Sequence, residues 1–157
     1  MTNTTPVSKY LTEINVPHVE FVHPGKVESL AQAAKERNQP EEQVVRSILF
    51  RLSEGEYAMV LIGGPSQISW KALRQHFEQS RLTMATPDEV KQVTGYAIGS
   101  VSPFGMDKSI PVLIDQRLPK QPSVSIGSGV RGTAIMIDTK IMINTLDNPA
   151  IGAFSKG

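Results

Sequence analysis

The sequence predicts an α/β chain of the α+β kind, in which a mixed sheet packs against several helices. Three observations lead there. Its 157 residues suit one domain large enough to bury most of its apolar surface, so residues 1–157 are expected to form a single unit. Strand-like runs and amphipathic helical stretches both occur, without a strict alternation of the two. No internal repeat and no low-complexity linker divides the chain.

In order, Val7, Tyr10, Leu11 and Ile14 recur at helical spacing and predict an amphipathic helix over 5–15, ended by Pro17. HVEFVH (18–23) alternates Val19 and Phe21 with polar neighbours and predicts a short strand, broken by Pro24-Gly25. Ser29 is placed to cap a helix, LAQAAKERN, before Pro40 starts a turn at PEEQVV. RSILFRL (46–52) and YAMVLIGG (57–64) predict a hairpin through the loop SEGE, with Gly55 in the turn. Ser69 opens a helix with Trp70, Leu73 and Phe77 on one face. TPDEVKQVTG (86–95) carries a dense start-and-stop signal. Thr86 is the N-cap, Pro87 the first helical residue, Glu89 the partner of a capping box, and Gly95 the left-handed terminator. IPVLID (110–115) and RGTAIMID (131–138) predict strands, and KIMINTL (140–146) closes the fold. Asp115 and Asp138, each after an apolar run, are expected in turns or caps, Asp115 as the N-cap of QRLP.

The totals restrict function. Hydrophobic residues make up 39% and charged residues 20%, values of an ordinary globule. No signal-peptide pattern opens the chain, and no apolar run approaches the roughly 20 residues of a membrane span. Cysteine is absent, which removes disulfides, thiolate metal sites and cysteine nucleophiles and is compatible with a cytoplasmic home. The net charge is +1, the pI is about 8.0 and the basic residues are scattered, so an extended phosphate-backbone footprint, as on DNA, is not expected. Contact with one end of an RNA stays open.

Conventional catalytic apparatus is missing. His18, His23 and His76 share no metal spacing, so no metal site is expected. His76 is expected to be structural, whereas His23 stands before Pro24-Gly25, where its side chain either faces a cleft or packs. No serine occupies a nucleophile elbow; GSG at 127–129 lacks the spacing. What stands out is glycine. GSVSPFG (99–105) falls between a helix and the strand at 110, and SIGSGVRG (125–132) falls between two strands. Such bends either only shape turns or turn bare N–H groups to one side as an anion-binding nest. Arg46 begins an apolar strand, where its long side chain either runs out to solvent or reaches a phosphate or terminal ribose.

Taken together, HPGKVESLAQAA, VVRSILF, TPDEVKQVTGYAIGSVSPFG, IPVLID and SIGSGVRG resemble, in that order, the YbaK/EbsC-like proteins, relatives of the editing domain inserted in bacterial prolyl-tRNA synthetases. The resemblance covers about residues 5–147. It implies a compact domain with a mixed, mostly antiparallel, partly barrel-like sheet. It also implies a free-standing cytoplasmic enzyme that hydrolyses a wrong amino acid from the 3′ end of a transfer RNA. No cofactor is implied. The partner is the aminoacyl-tRNA acceptor end, with a synthetase or elongation factor as a conjectured supplier of tRNA choice. On this resemblance GSVSPFG walls the acyl pocket and offers amides to the ester, and GSG is the facing wall. The expected catalytic set is Arg46, Gly105 and Gly129. The expected substrate-binding set is His23, Ser47, Gly99, Ser102, Pro103, Phe104, Gly127 and Ser128, while Met59, Ile98, Phe104 and Met106 are candidates for setting pocket size. One departure stands out: the family usually has lysine where this chain has Arg46. The alternative is therefore a module that binds an aminoacyl or nucleotide end at a decayed site; a hydrolase of other small esters is a third reading.

Overall fold

The computed structural model describes residues 5–53 and 55–156. Glu54 of the SEGE loop and the ends of the 1–157 span lie outside the described residues.

Caps set the helices. Helix α1 (Pro6–Glu13) starts at Thr5, whose hydroxyl accepts from the Ser8 N–H. Ser29 caps α2 (Leu30–Glu36) and Ser69 caps α3 (Trp70–Phe77) in the same way. Helix α4 (Pro87–Thr94) has both bonds of its capping box, and Gly95 ends it at φ 85°. KIMINTL mostly forms α5 (Thr139–Thr145), because Asp138 accepts from the Ile141 N–H and starts a helix there.

Strands β1 (Val19–Val22), β8 (Thr133–Asp138) and β7 (Ser123–Gly127) form an antiparallel sheet in that order. The larger sheet runs β5 (Thr83–Met84), β2 (Val45–Arg51), β3 (Tyr57–Gly63), β6 (Val112–Asp115), β9 (Ala150–Gly152). In it β2 is antiparallel to β3 and β5, while β6 is parallel to β3 and β9. A short antiparallel pair, β4 (Gln67–Ile68) with β10 (Ser155–Lys156), completes the strands. The sheets are mixed and mostly antiparallel, and they stay separate rather than closing into a barrel; a lone parallel bridge, Val44 to Ser125, joins the start of β2 to the edge strand β7.

Two details differ from the sequence reading. SIGSGVRG is not wholly a loop, since its first three residues finish β7. Asp115 does not cap a helix: one carboxylate oxygen accepts from the Arg117 N–H at 3.3 Å and the other from the Phe154 N–H at 3.0 Å, which ties the C-terminal segment to β6.

Alternation along the strands decides the packing. Val45, Met59, Leu61 and Ile114 of the large sheet meet Val124, Ile126, Ile135 and Ile137 of the small one, sealed by Val7 and Leu11 of α1 and Met142 of α5. The opposite face of the large sheet packs Phe50, Val60 and Leu113 on Leu73 of α3 and on Phe154. Ser47 shares the first face with Val45, and Arg46 shares the second with Phe50. Among the described residues no helix is long and apolar enough to cross a membrane.

Candidate active site

The seam between the sheets opens at the start of β2 into a cavity of about 290 Å³. Val45, Arg46 and Ser47 form one wall; Ile98, Gly99 and Val101 of the first glycine bend form another; Ile126 and Gly127 close it from β7. The two bends touch. Gly129 N–H donates to Ser100 O at 2.9 Å, and a Cβ on Gly127 would lie 2.0 Å from Val101 O. Glycine at 127 is thus a condition of the contact, since no side chain fits between the two backbones. Arg131 holds the first bend from outside, with Nε and Nη2 donating to Ile98 O at 3.1 and 2.9 Å. Among the described residues, the N–H groups of Gly99 and Val101 have no acceptor in the chain.

Of the residues expected from sequence, the cavity brings together Arg46, Ser47, Gly99 and Gly127, with Ile98 among the size-setting candidates. Ser47 Oγ is buried and has no hydrogen-bond partner. Arg46 contributes to the wall, but its guanidinium is engaged elsewhere: Nε donates to Gly64 O at 2.9 Å and Nη2 to Ser66 O.

The second half of the GSVSPFG bend lies apart from this cavity. Ser102 is fully buried and its hydroxyl accepts from the Phe104 N–H at 3.1 Å; Phe104 is buried, and its carbonyl accepts from the Tyr96 hydroxyl at 2.6 Å. A Cβ on Gly105 would meet the Tyr96 hydroxyl at 2.7 Å, and one on Gly129 would meet the Tyr96 ring at 3.0 Å. Gly105 and Gly129, the two glycines of the expected catalytic set, do not line this cavity, and both lie against Tyr96. Burial first, then Asp107 and Tyr10, pushes the Tyr96 hydroxyl up to about 12, so it stays a donor. Ser128 is buried with its hydroxyl against Thr133 and Val130 O. Pro103, Gly105 and Met106 line a second, more polar cavity of about 630 Å³ beside Asp107 and Asp147. Met59 is fully buried in the core. His76 stacks edge-on against Phe77 and Phe154, a packing role.

His23 does not line the main cavity, yet it holds a residue that does. Arg37, just after α2, donates from Nε to His23 Nε2 at 3.0 Å and from Nη1 to Ser125 Oγ at 2.8 Å. The other ring nitrogen of His23, Nδ1, lies 2.5 Å from Glu36 Oε1, so these partners put the ring proton on Nδ1. Ser125 in turn donates to Gln39 Oε1 at 2.6 Å. Bonds from Gln32 and then His23 hold the Glu36 carboxyl below the usual carboxylate value. Burial lowers Arg37 and Arg46 from the usual arginine value, though a guanidinium stays charged at neutral pH. Sequence reasoning missed Arg37, because a cation at a helix C-terminus already has a local explanation in the helix dipole. Among the described residues no three His, Asp or Glu side chains cluster as a metal site would require.

Comparison with known proteins places the chain. Residues 24–144 match the model of the aminoacyl-tRNA editing domain. A proline–tRNA ligase of Pseudothermotoga lettingae is 32% identical over 115 residues, covering 73% of this chain and 20% of the ligase. One from Streptococcus thermophilus is 29% identical over 128 residues, covering 82% and 20%. The chain thus spans about a fifth of the length of these relatives. In fold it is similar to a solved structure described as a candidate trans-editing enzyme for prolyl tRNA synthetase, with a TM-score of 0.88, 23% identity, and 97% and 96% of the two chains covered. With its sheets, its paired glycine bends and more than three quarters of its length matched, the chain belongs to the aminoacyl-tRNA editing domain family.

Proposed function

We propose that this chain hydrolyses the ester of mischarged aminoacyl-tRNA, acting in trans on the acceptor end, and that the reaction takes place in the cavity between the start of β2 and the two bends. The observation that carries this reading is that one cavity of an editing-domain protein is lined by Gly99 and Val101, whose backbone amides have no acceptor among the described residues, and by Ser47, whose buried hydroxyl has no partner. A water attacks the acyl carbon, the carbon–ribose oxygen bond breaks and the proton of the water ends on the ribose oxygen, freeing the amino acid. The neighbouring ribose hydroxyl helps hold that water, since its own attack would only move the ester along the ribose. The developing oxyanion is received by the Gly99 and Val101 amides, a type of contact worth roughly 100- to 1,000-fold in rate. Ser47 Oγ orients the attacking oxygen. A protein nucleophile is not required, because the ester is already activated and the task is orientation.

The second reading, a binding module without turnover, is favoured by one observation: the Arg46 guanidinium is engaged by the carbonyls of Gly64 and Ser66. tRNAs charged with alanine, cysteine, serine or proline, incubated with the protein, decide between the two. The hydrolase reading requires at least one to lose its amino acid faster than in buffer; if all four decay at the buffer rate, it fails. Arg46→Lys then separates a decayed site, which gains deacylation, from an adapted one, which loses it.

A further inference from the structure

We propose that Arg37 is the anion-anchoring residue of the cavity, held in place by His23, and that it takes an oxyanion carried by the aminoacylated nucleotide end. The phosphate of the terminal nucleotide and a carboxylate on the acyl group are the two sources of that chemistry. The proposal deepens the functional reading above and rests on it for the identity of the ligand.

Three observations support it. First, the guanidinium has capacity left over: Nε and Nη1 are engaged, while Nη2 has no acceptor among the described residues. Second, no counter-charge touches it; Glu36 favours its charged form only from a distance. Its partners are the unprotonated Nε2 of an imidazole and a hydroxyl; among the described residues no Asp or Glu lines the cavity and no carboxylate lies within 4.0 Å of it. Partly burying a cation with no counter-charge in contact has a cost, and an arriving anion lowers it. Glu36 could have supplied the charge, but it sits on the far side of His23, 2.5 Å from Nδ1. The imidazole therefore fixes the fork while keeping the carboxylate out of contact with it. Third, Ser47 Oγ is a buried orphan on a residue lining the same cavity, an independent sign that something polar is to be received there. Arg46, the cation that sequence nominates, is less available, since its face of β2 leads to the carbonyls of Gly64 and Ser66.

The bonds divide the work. Arg37 contacts the ligand; His23 is a positioning residue that acts only through it. Ser125, whose proton goes to Gln39, presents a lone pair to Nη1 and fixes the second arm.

Equilibrium binding without turnover tests this. One pair of probes is adenosine 5′-phosphate against adenosine; the other is aspartyl against asparaginyl 3′-amino-3′-deoxyadenosine, whose amide link resists hydrolysis. The wild-type protein is expected to bind the anionic member of at least one pair roughly tenfold tighter, the worth of a charged hydrogen bond. The pair that discriminates identifies the source. Arg37→Gln should erase the difference and leave the neutral member unchanged. His23→Ala should reduce it, and His23→Gln, which keeps an acceptor for Nε, should retain more of it. Equal binding within both pairs, or discrimination that survives Arg37→Gln, overturns the proposal. If Arg37→Gln does not fold, the Arg37 Nε resonance of the wild-type protein is followed instead. It should move with the anionic probe and not with its neutral mate, and a stationary signal overturns the proposal. Because no ester is cleaved, discrimination in a protein that leaves every charged tRNA intact sinks the hydrolase and keeps Arg37, whereas deacylation without discrimination sinks Arg37 alone.

Discussion

Ser47 is the residue at which stability and function pull apart. Its hydroxyl is buried and unpartnered, a state that costs about 1–3 kcal/mol. Ser47→Ala should leave the thermal midpoint unchanged or raise it by a few degrees, while kcat/KM for deacylation falls about tenfold or more; calorimetry beside the kinetic assay reads both. A parallel loss of stability and activity would make Ser47 an ordinary core residue. Tyr96 gives a pH signature. In the folded chain its hydroxyl ionises only at about 12, against 10.0 for an ordinary tyrosine. The raised value means that its contribution is complete below pH 10 and declines from about pH 10 to 12, as the unfolded chain loses the proton first. Denaturant unfolding across that range should show the decline, less steep in Tyr96→Phe, which also loses roughly 1 kcal/mol with the bond to Phe104 O. At this scale the sequence pointed to part of the lining of the proposed site. Gly99 and Gly127 were legible because glycine is conspicuous. Gly105 and Gly129 are equally conspicuous, but their reason is the Tyr96 side chain, and no spacing rule announces that contact. Arg37 was hidden because its partners, His23 and Ser125, are 14 and 88 positions away.

Among the elements, α4 best joins local signal to the site. Its Thr86–Glu89 box starts the helix, Glu89 also accepts from the Tyr57 hydroxyl at 2.7 Å, and Gly95 turns the chain into the cavity bend. Thr86→Ala should cost about 1 kcal/mol, a fall of roughly 2–4 °C in melting temperature, with kcat/KM unchanged because the cap does not touch the cavity. A loss of activity exceeding the loss of folded protein would contradict that separation. The caps at Ser29, Ser69 and Thr86 were readable because each bond spans three residues. Strands β4, β5, β9 and β10 were not, since two- or three-residue ladders carry no alternation and exist only through distant partners such as β6 for β9. KIMINTL, rich in β-branched residues, left its type open until Asp138 was seen to cap it.

Across the whole molecule, the order of segments carried more than any single motif, and it was enough to anticipate the family and the mixed, mostly antiparallel sheets. It did not convey that the sheets remain separate, nor that the cavity occupies their seam. The charge distribution makes its own prediction. With a net charge of +1 and, among the described residues, only Arg37 and Arg46 as cations lining the cavity and Arg131 against its Gly99 bend, few phosphates can be engaged. Binding to uncharged tRNA should be weak, and the logarithm of the affinity should fall against log salt with a slope of roughly −2. A slope several times steeper, measured by titration, would contradict this.

The account turns on where the acyl-adenosine end sits. Backbone amide shifts on titration with a hydrolysis-resistant alanyl-adenosine amide test it most directly. The predicted changes concentrate at Ser47, Gly99, Val101 and Gly127. Changes centred instead on Gly105 to Ser109, around the second cavity, with those four amides unmoved, would contradict it.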